Sequence, residues 1–230
     1  MEQTNAFNLR SQLPRLAVAA TTLLLAKVLI AIVWEYRRYF PADFSANFLL
    51  GREDSFVGWY RITFYIHIIA GPLSLLLGSF LMFSGPRWRQ HQLHRWAGRL
   101  QMLVLFAALL PSGLVMATEA LAGPIAGWGF ATLALATGVT AAAAVYYAVQ
   151  RKLTLHRQWA TRTYLLLISP LLFRIANGLL IVIQQDTDQA YRVNAWLSWL
   201  ILLAAFEVWR YCHATASHPE TNSLFPETFS

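Results

Sequence analysis

Apolar residues in this chain are gathered into six long runs separated by short polar segments. A run of about 20 apolar residues matches the thickness of the bilayer core, so each run predicts one membrane-spanning helix. The predicted spans are residues 14–34, 61–84, 96–119, 127–149, 159–183 and 195–211. The predicted fold class is therefore all-α: a polytopic membrane protein whose six helices form one bundle over residues 14–212.

The two ends of the chain are polar. Residues 1–13 and 213–230 are expected to be tails, the second one disordered because it is polar and contains Pro219 and Pro226. Six crossings would place both tails on the same side of the membrane. Most Lys and Arg residues lie on that side, which predicts that both termini are cytoplasmic.

Composition excludes an ordinary soluble protein. Hydrophobic residues make up 57% of the chain and charged residues only 13%, whereas charged residues average about 25% in soluble domains. The net charge of +7 arises from the loops between apolar runs, so it indicates membrane topology and not nucleic-acid binding. Cys212 is the only cysteine, which excludes an intrachain disulfide and a cysteine metal cluster.

The loop between the first two spans is unusually aromatic. Phe40, Phe44 and Phe48 recur near helical spacing, which predicts a segment of this loop that is helical and lies in the membrane interface.

Two related motifs stand at the start of the third and fifth spans. They are His94-Arg-Trp-Ala-Gly-Arg99 and His156-Arg-Gln-Trp-Ala-Thr-Arg162, and their matching positions indicate a parallel internal repeat. Histidines on facing helices of a bundle are suited to hold haem iron. Neighbouring cations are suited to haem propionates, quinone oxygens or lipid headgroups: Arg95, Arg99, Arg157 and Arg162. The alternative is that these side chains are interfacial and structural.

Two ionisable side chains lie inside predicted spans. His67 in the second span and Arg174 in the fifth fall at similar depth on the predicted outer side. Such groups are costly in lipid and are candidates for function. Glu119 is the expected acidic partner of Arg174, and Asn177 is expected to share its charge. Together these residues predict an outer polar pocket for an anion or a quinone.

Several other chemistries lack their sequence motifs. The chain contains no Cys-x-x-Cys, no His-Glu-x-x-His, no glycine-rich phosphate loop followed by Lys-Ser or Lys-Thr, and no Gly-x-Ser-x-Gly.

Over residues 60–210 the chain resembles a bacterial family of predicted membrane proteins of unknown function. The resemblance rests on His67, on the two His-Arg motifs and on Arg174. The layout is more distantly similar to the six-helix, two-haem cytochromes b. That similarity implies a haem between His94 and His156, and His67 as half of an outer pair. The fourth span contains no histidine, so the second haem of those cytochromes has no complete ligand set.

The leading hypothesis is a membrane electron carrier resembling the haem-b proteins. His94 and His156 would be the axial ligands of haem b, and His67 with Arg174 would line a pocket for a quinone or small reductant, with a redox protein as partner. One alternative is a haem-free membrane protein that binds lipid or assists a membrane complex. A third is a small-solute transporter that uses the His67–Arg174 pocket, with Pro170 and Gly178 as helix-breaking positions.

Overall fold

The computed structural model describes residues 9–45, 48–85 and 92–216, and in these residues the fold is entirely helical. The helices are α1 (Leu9–Glu35), α2 (Gly58–Phe83), α3 (Gln92–Thr118), α4 (Pro124–Val149), α5 (Leu153–Val182) and α6 (Asp188–Ala216). Within the described ranges no strand is present. The outermost parts of the predicted tails, residues 1–8 and 217–230, lie outside the described residues.

Five of the described helices, α2 to α6, are long and apolar enough to cross a membrane. This confirms an all-α, multi-pass membrane protein. Helix α1 covers the first predicted span, but its crossing of the bilayer stays a prediction, as does the cytoplasmic position of both termini.

Helix α6 begins at Asp188, so the polar loop predicted before residue 195 is in part helical, while the bounds of the sixth span stay a prediction. The Thr187 hydroxyl accepts a hydrogen bond from the backbone N–H of Ala190 at 3.2 Å, and Asp188 lies in the first turn. A capping hydroxyl and an early carboxylate both stabilise a helix N-terminus. The polar residues that suggested a loop are therefore the first turns of this helix. Helical residues also extend into both predicted tails, back to Leu9 and on to Ala216.

The loop between α1 and α2 also differs from its prediction. It contains a 3₁₀ helix, Tyr36–Tyr39, and its other described residues form turns, not an interfacial helix. Its apolar side chains pack against α2 instead. The buried members of this cluster are Tyr39, Leu49, Phe56, Tyr60, Phe64 and Ile68. Tertiary packing on Phe64 thus determines how the aromatic loop folds: Phe56 and Tyr39 lie 5.2 and 5.3 Å from it, ring centroid to ring centroid.

The helices pack closely where a glycine of one helix lies against the backbone of another. A Cβ atom at Gly127 of α4 would lie 2.5 Å from the carbonyl oxygen of Ala117 in α3. One at Gly129 would lie 3.1 Å from the carbonyl oxygen of Ala195 in α6. Small residues of this kind allow membrane helices to approach each other, and here they bring α3 and α6 against α4.

Polar side chains connect α2 to α3 along their whole length, a set of contacts named here the α2–α3 seam. Ser84 Oγ lies 3.4 Å from His94 Nδ1, Gln101 Nε2 donates to Ser74 Oγ at 2.8 Å, and His67 Nδ1 lies 3.2 Å from Ser112 Oγ. The seam orients the bundle. One end, named here the hairpin end, carries His94 and the α4–α5 turn. The other end, named here the loop end, carries the described residues of the α1–α2 loop, 36–45 and 48–57.

Gly127→Ala should lower the free energy of unfolding by about 1–3 kcal/mol, because the new methyl group would meet a carbonyl oxygen that the helix holds in place. Gly98→Ala is the matched control, since a Cβ there meets nothing within 4 Å; it should be neutral or stabilising by up to about 1 kcal/mol. Thermal unfolding in detergent measures both. Equal midpoints for the two variants would contradict the close α3–α4 approach.

Candidate functional site

At the hairpin end, each motif histidine is hydrogen bonded to the helix that precedes it. His94 Nδ1 lies 3.4 Å from the hydroxyl of Ser84, just after the end of α2. His156 Nδ1 lies 2.9 Å from the carbonyl oxygen of Ala144, in the last part of α4. A carbonyl only accepts, so His156 Nδ1 carries the proton and Nε2 keeps the lone pair in the neutral ring. Both histidines therefore link the two helices of their own hairpin.

The arginines that end the two motifs are also alike. The Arg99 guanidinium lies 5.0 Å from the centre of the Trp96 ring, and that of Arg162 lies 4.5 Å from the centre of the Trp159 ring. Both are cation–π contacts within one helical turn. The similarity between the two motifs is thus a similarity of local structure.

Arg162 is also held by α6. Its Nε donates to Glu207 Oε1 at 2.7 Å, and the side chain of Arg162 is only 12% exposed. Glu207 in turn accepts from Arg210 at 3.0 Å. Arg95 and Arg157 are exposed. Of the four arginines predicted to hold propionates, Arg162 therefore has a carboxylate partner within the protein.

The structure shows no direct contact between His94 and His156. Helices α3 and α5, which carry them, share little contact with each other, and α2 packs against both. The described residues contain no group of three or more His, Cys, Asp or Glu side chains arranged to hold a metal ion. A shared haem between the two histidines stays a prediction.

At the loop end, His67 is oriented by a distorted turn of α3. Residues Leu105–Leu109 form a π-helical turn just before Pro111, which has no N–H to continue the regular pattern. Ser112 Oγ donates to the carbonyl oxygen of Ala108 at 2.6 Å, so its oxygen is left to accept from His67 Nδ1 at 3.2 Å. In the neutral ring this leaves the lone pair on Nε2.

Gly113 provides the space that the ring of His67 occupies. A Cβ at this position would lie 3.3 Å from Cε1 of His67. Sequence reasoning missed Ser112 and Gly113, although Pro111-Ser-Gly inside an apolar run was a signal that the helix is irregular there.

Arg174 lies exposed on α5 and acts electrostatically on residues from three other parts of the chain. Its charge acts on His67 of α2, on Tyr36 and Tyr39 of the α1–α2 loop, and on Tyr191 of α6. Among the described residues it forms no hydrogen bond and no ion pair. His67 therefore lies within electrostatic range of Arg174, and their joining in one pocket stays a prediction.

The two loop tyrosines remain neutral hydrogen-bonding groups. Burial raises the pKa of Tyr36 to about 12, and the positive charge of Arg174 opposes that rise. Burial also raises the pKa of Tyr39, again against the effect of Arg174. Both phenols can therefore donate a hydrogen bond at any physiological pH.

Neither Glu119 nor Asn177 forms a hydrogen bond or ion pair with Arg174 in the described structure. Asn177 Oδ1 accepts from Asn194 Nδ2 at 2.8 Å, so it links α5 to α6. The carbonyl oxygen of Glu119 accepts from Arg52 Nη1 at 2.7 Å, and no ion pair joins its carboxylate to Arg174 in the described structure.

Arg52 is the residue at this end that sequence reasoning missed. It is only 6% exposed, and its Nη1 donates to the hydroxyl of Tyr60 at 2.8 Å as well as to the Glu119 carbonyl. The guanidinium carbon lies 4.6 Å from the centre of the Phe48 ring. Its Nε is buried without a hydrogen-bond partner among the described residues. The sequence gives no signal for this burial, because Arg52 is followed by Glu53 and Asp54 and reads as part of a charged loop.

These helices define an integral, multi-pass membrane protein, and the comparison with family models narrows that class. The chain belongs to the family described as Predicted membrane protein (DUF2306), whose model matches residues 64–210. The matched region contains His67, both His-Arg motifs and Arg174, and it leaves out Arg52 and the loop tyrosines. Comparisons with curated proteins and with solved structures find no match.

Glu207→Gln should destabilise the hairpin end, because it removes the carboxylate that pairs with a largely buried Arg162. We expect a loss of about 1 kcal/mol, since Glu207 itself is half exposed. Arg210→Gln removes only the more exposed of the two ion pairs and should cost less. Thermal unfolding of both variants in detergent tests this order, and an equal or larger loss in Arg210→Gln would contradict it.

Proposed function

We propose that this membrane protein binds a small oxygen-rich ligand, an anion or a quinone headgroup, at the loop end between His67 and Arg174. The observation that carries the proposal is an arginine within a membrane-spanning helix that has no carboxylate bound to it among the described residues. Placing such a charge in a span costs about 2.5–3.5 kcal/mol on insertion scales. A ligand oxygen would compensate that cost.

The groups near Arg174 are suited to the same ligand. Arg174 can only donate hydrogen bonds, Tyr36 and Tyr39 are neutral phenols, and His67 carries an acceptor lone pair on Nε2 in the tautomer described above. Donors therefore predominate, with one acceptor at the edge of the site. This pattern fits a carbonyl, carboxylate or phosphate oxygen better than it fits a cation.

The orientation of this site in the cell follows from the charge distribution. We infer that the loop end faces away from the cytoplasm of a bacterial inner membrane, because the basic motifs lie at the hairpin end. A ligand would then reach Arg174 from the outer leaflet or from the space outside it.

Arg174→Gln should weaken ligand binding about tenfold or more, because it removes a charged donor from a poorly solvated site. His67→Ala should weaken it less. The measurement is the shift in thermal unfolding midpoint caused by sodium phosphate and by a short-chain benzoquinone, each titrated against purified protein in detergent.

Arg61→Gln is the matched control for Arg174→Gln, since Arg61 lies exposed at the start of α2. It should bind as the wild type does. If neither probe stabilises the wild type, or if Arg61→Gln loses as much affinity as Arg174→Gln, the proposed site is wrong.

A haem-b electron carrier is the second candidate, and the Nδ1 contacts of His94 and His156 favour it. A metal-bound histidine usually has its other ring nitrogen hydrogen bonded, as both are here. Gly98, one turn after His94, also leaves open space beside its helix. Haem would supply one-electron chemistry, and the residues that would hold it are His94 and His156, with Arg99 and Arg157 at the propionates. The same contacts give a complete structural account of a haem-free protein.

A reduced-minus-oxidised visible spectrum of the protein decides between these accounts. Two axial histidines would produce a sharp α-band that disappears in both His94→Ala and His156→Ala. A colourless wild type after expression with added haem precursor would exclude the haem, and the two motifs would then be links between helices.

A lipid-binding or complex-assisting role uses the same loop-end site and needs no further residues. The transporter alternative has less support, because α5 continues without a break through Pro170 to Val182.

A further inference from the structure

The guanidinium of Arg52 is hydrogen bonded at only one of its three nitrogens among the described residues. The side formed by Nε and Nη2 has no hydrogen-bond partner there and is named here the empty edge. Its Nη1 donates to Tyr60 and to the carbonyl oxygen of Glu119. Its Nε is buried without a partner, and no hydrogen bond from Nη2 is present in the described part of the chain. Nε and Nη2 point two N–H groups in the same direction, which is the geometry that binds a carboxylate or phosphate through two parallel bonds. An unpaired buried donor is costly, so this edge needs an explanation.

Arg52 and Arg174 have one electrostatic neighbour in common. Tyr191 of α6 lies within range of both charges, although one arginine comes from the α1–α2 loop and the other from α5. The side chain of Tyr191 packs against Phe173, with ring centroids 5.1 Å apart, next to Arg174 in sequence. Both arginines therefore contribute positive charge to the loop end near Tyr191.

The carboxylates of this region do not neutralise the two arginines. Glu35 is paired with Arg38 at 3.3 Å, and Glu119 offers Arg52 its backbone oxygen. Among the described residues no ion pair involves Arg52 or Arg174. A neutral quinone in this site would leave both positive charges uncompensated where the dielectric constant is low, whereas an oxyanion would compensate them.

We propose that the ligand of the loop-end site is an oxyanion, held by the empty edge of Arg52 and by Arg174. This inference rests on the proposed function and narrows it from an anion or quinone to one class. The oxyanion is either the headgroup of an anionic lipid or a soluble phosphate or carboxylate. Because the Nε atom is covered by protein, an oxyanion reaches this edge only when the covering groups move aside.

The test uses the full chain in mild detergent and compares Arg52→Lys with Arg61→Lys. Lysine keeps the charge but removes the two-bond edge, so Arg52→Lys should weaken oxyanion binding about tenfold, and Arg61→Lys should leave it within about twofold. The probes are sodium phosphate, phosphatidylglycerol with neutral phosphatidylcholine as its control, and a short-chain benzoquinone. The readout is the ligand-dependent shift in unfolding midpoint, with native mass spectrometry to count bound lipid.

The probes distinguish a soluble oxyanion from a lipid headgroup. They also distinguish failure of the oxyanion inference from failure of the proposed function. Stabilisation by phosphate identifies a soluble oxyanion, and stabilisation by phosphatidylglycerol alone identifies a lipid; either supports the inference. Arg174-dependent binding of the benzoquinone alone overturns the oxyanion and leaves the proposed function standing. If every probe shifts the unfolding midpoint equally in the wild type and in Arg174→Gln, both the oxyanion inference and the proposed function are overturned.

Arg52 also ties the loop to α2, so its replacement could reduce folding. Tyr60→Phe is the second variant, because it removes one partner of Nη1 and leaves the empty edge intact. It should lower the unfolding midpoint while keeping oxyanion affinity within about threefold of the wild type. Oxyanion affinity unchanged in Arg52→Lys, or lost equally in Tyr60→Phe, would overturn the role of the edge.

Discussion

The requirement that polar groups be satisfied inside the protein, where lipid offers no hydrogen bonds, governs this structure. The α2–α3 seam shows how it is met: Ser84 with His94, Ser74 with Gln101, and His67 with Ser112. Each bond joins two helices at a different depth, so together they set the position of α3 on α2. Helices α4 and α5 pack on this pair directly, α6 packs on α4 and α5, and α1 packs on α5.

The buried side-chain atoms without a hydrogen-bond partner in the described structure are Arg52 Nε, Gln101 Oε1 and Trp199 Nε1. Two of the unpaired groups, Arg52 and Arg174, are cations, and they differ in kind. Arg52 is buried, with hydrogen bonds from Nη1 and none from Nε, whereas Arg174 is exposed. Among the described residues Arg174 has no hydrogen bond and no ion pair. Exceptions to the satisfaction of polar groups tend to mark functional positions. Both lie at the loop end, while the two His-Arg motifs lie at the hairpin end, where each histidine is hydrogen bonded.

Helices α2 to α5 cover all but at most the last residue of the apolar runs that predicted their spans, because apolar run length alone specifies a membrane helix. The first turns of α6 were predicted as a loop because they are polar. Depth within a span led to the prediction that His67 and Arg174 share a pocket, and that prediction stands untested. Depth could not identify Tyr36, Tyr191 or Arg52, since these residues come from segments far apart in the sequence and meet only when the bundle forms. Glu119 was predicted as a carboxylate partner, and the structure uses its backbone oxygen instead.

The π-helical turn at Leu105–Leu109 separates α3 into two parts with different rotational settings. An extra residue in a regular α-helix would turn everything after it by about 100°, and the wide turn absorbs that rotation. Gln101 before the turn and Ser112 after it can therefore both face α2. Removing a single residue from this turn would rotate Ser112 away from His67 while leaving the Ser74–Gln101 bond in place. The part of α3 after the turn can therefore change its rotation against α2 independently of the part before it.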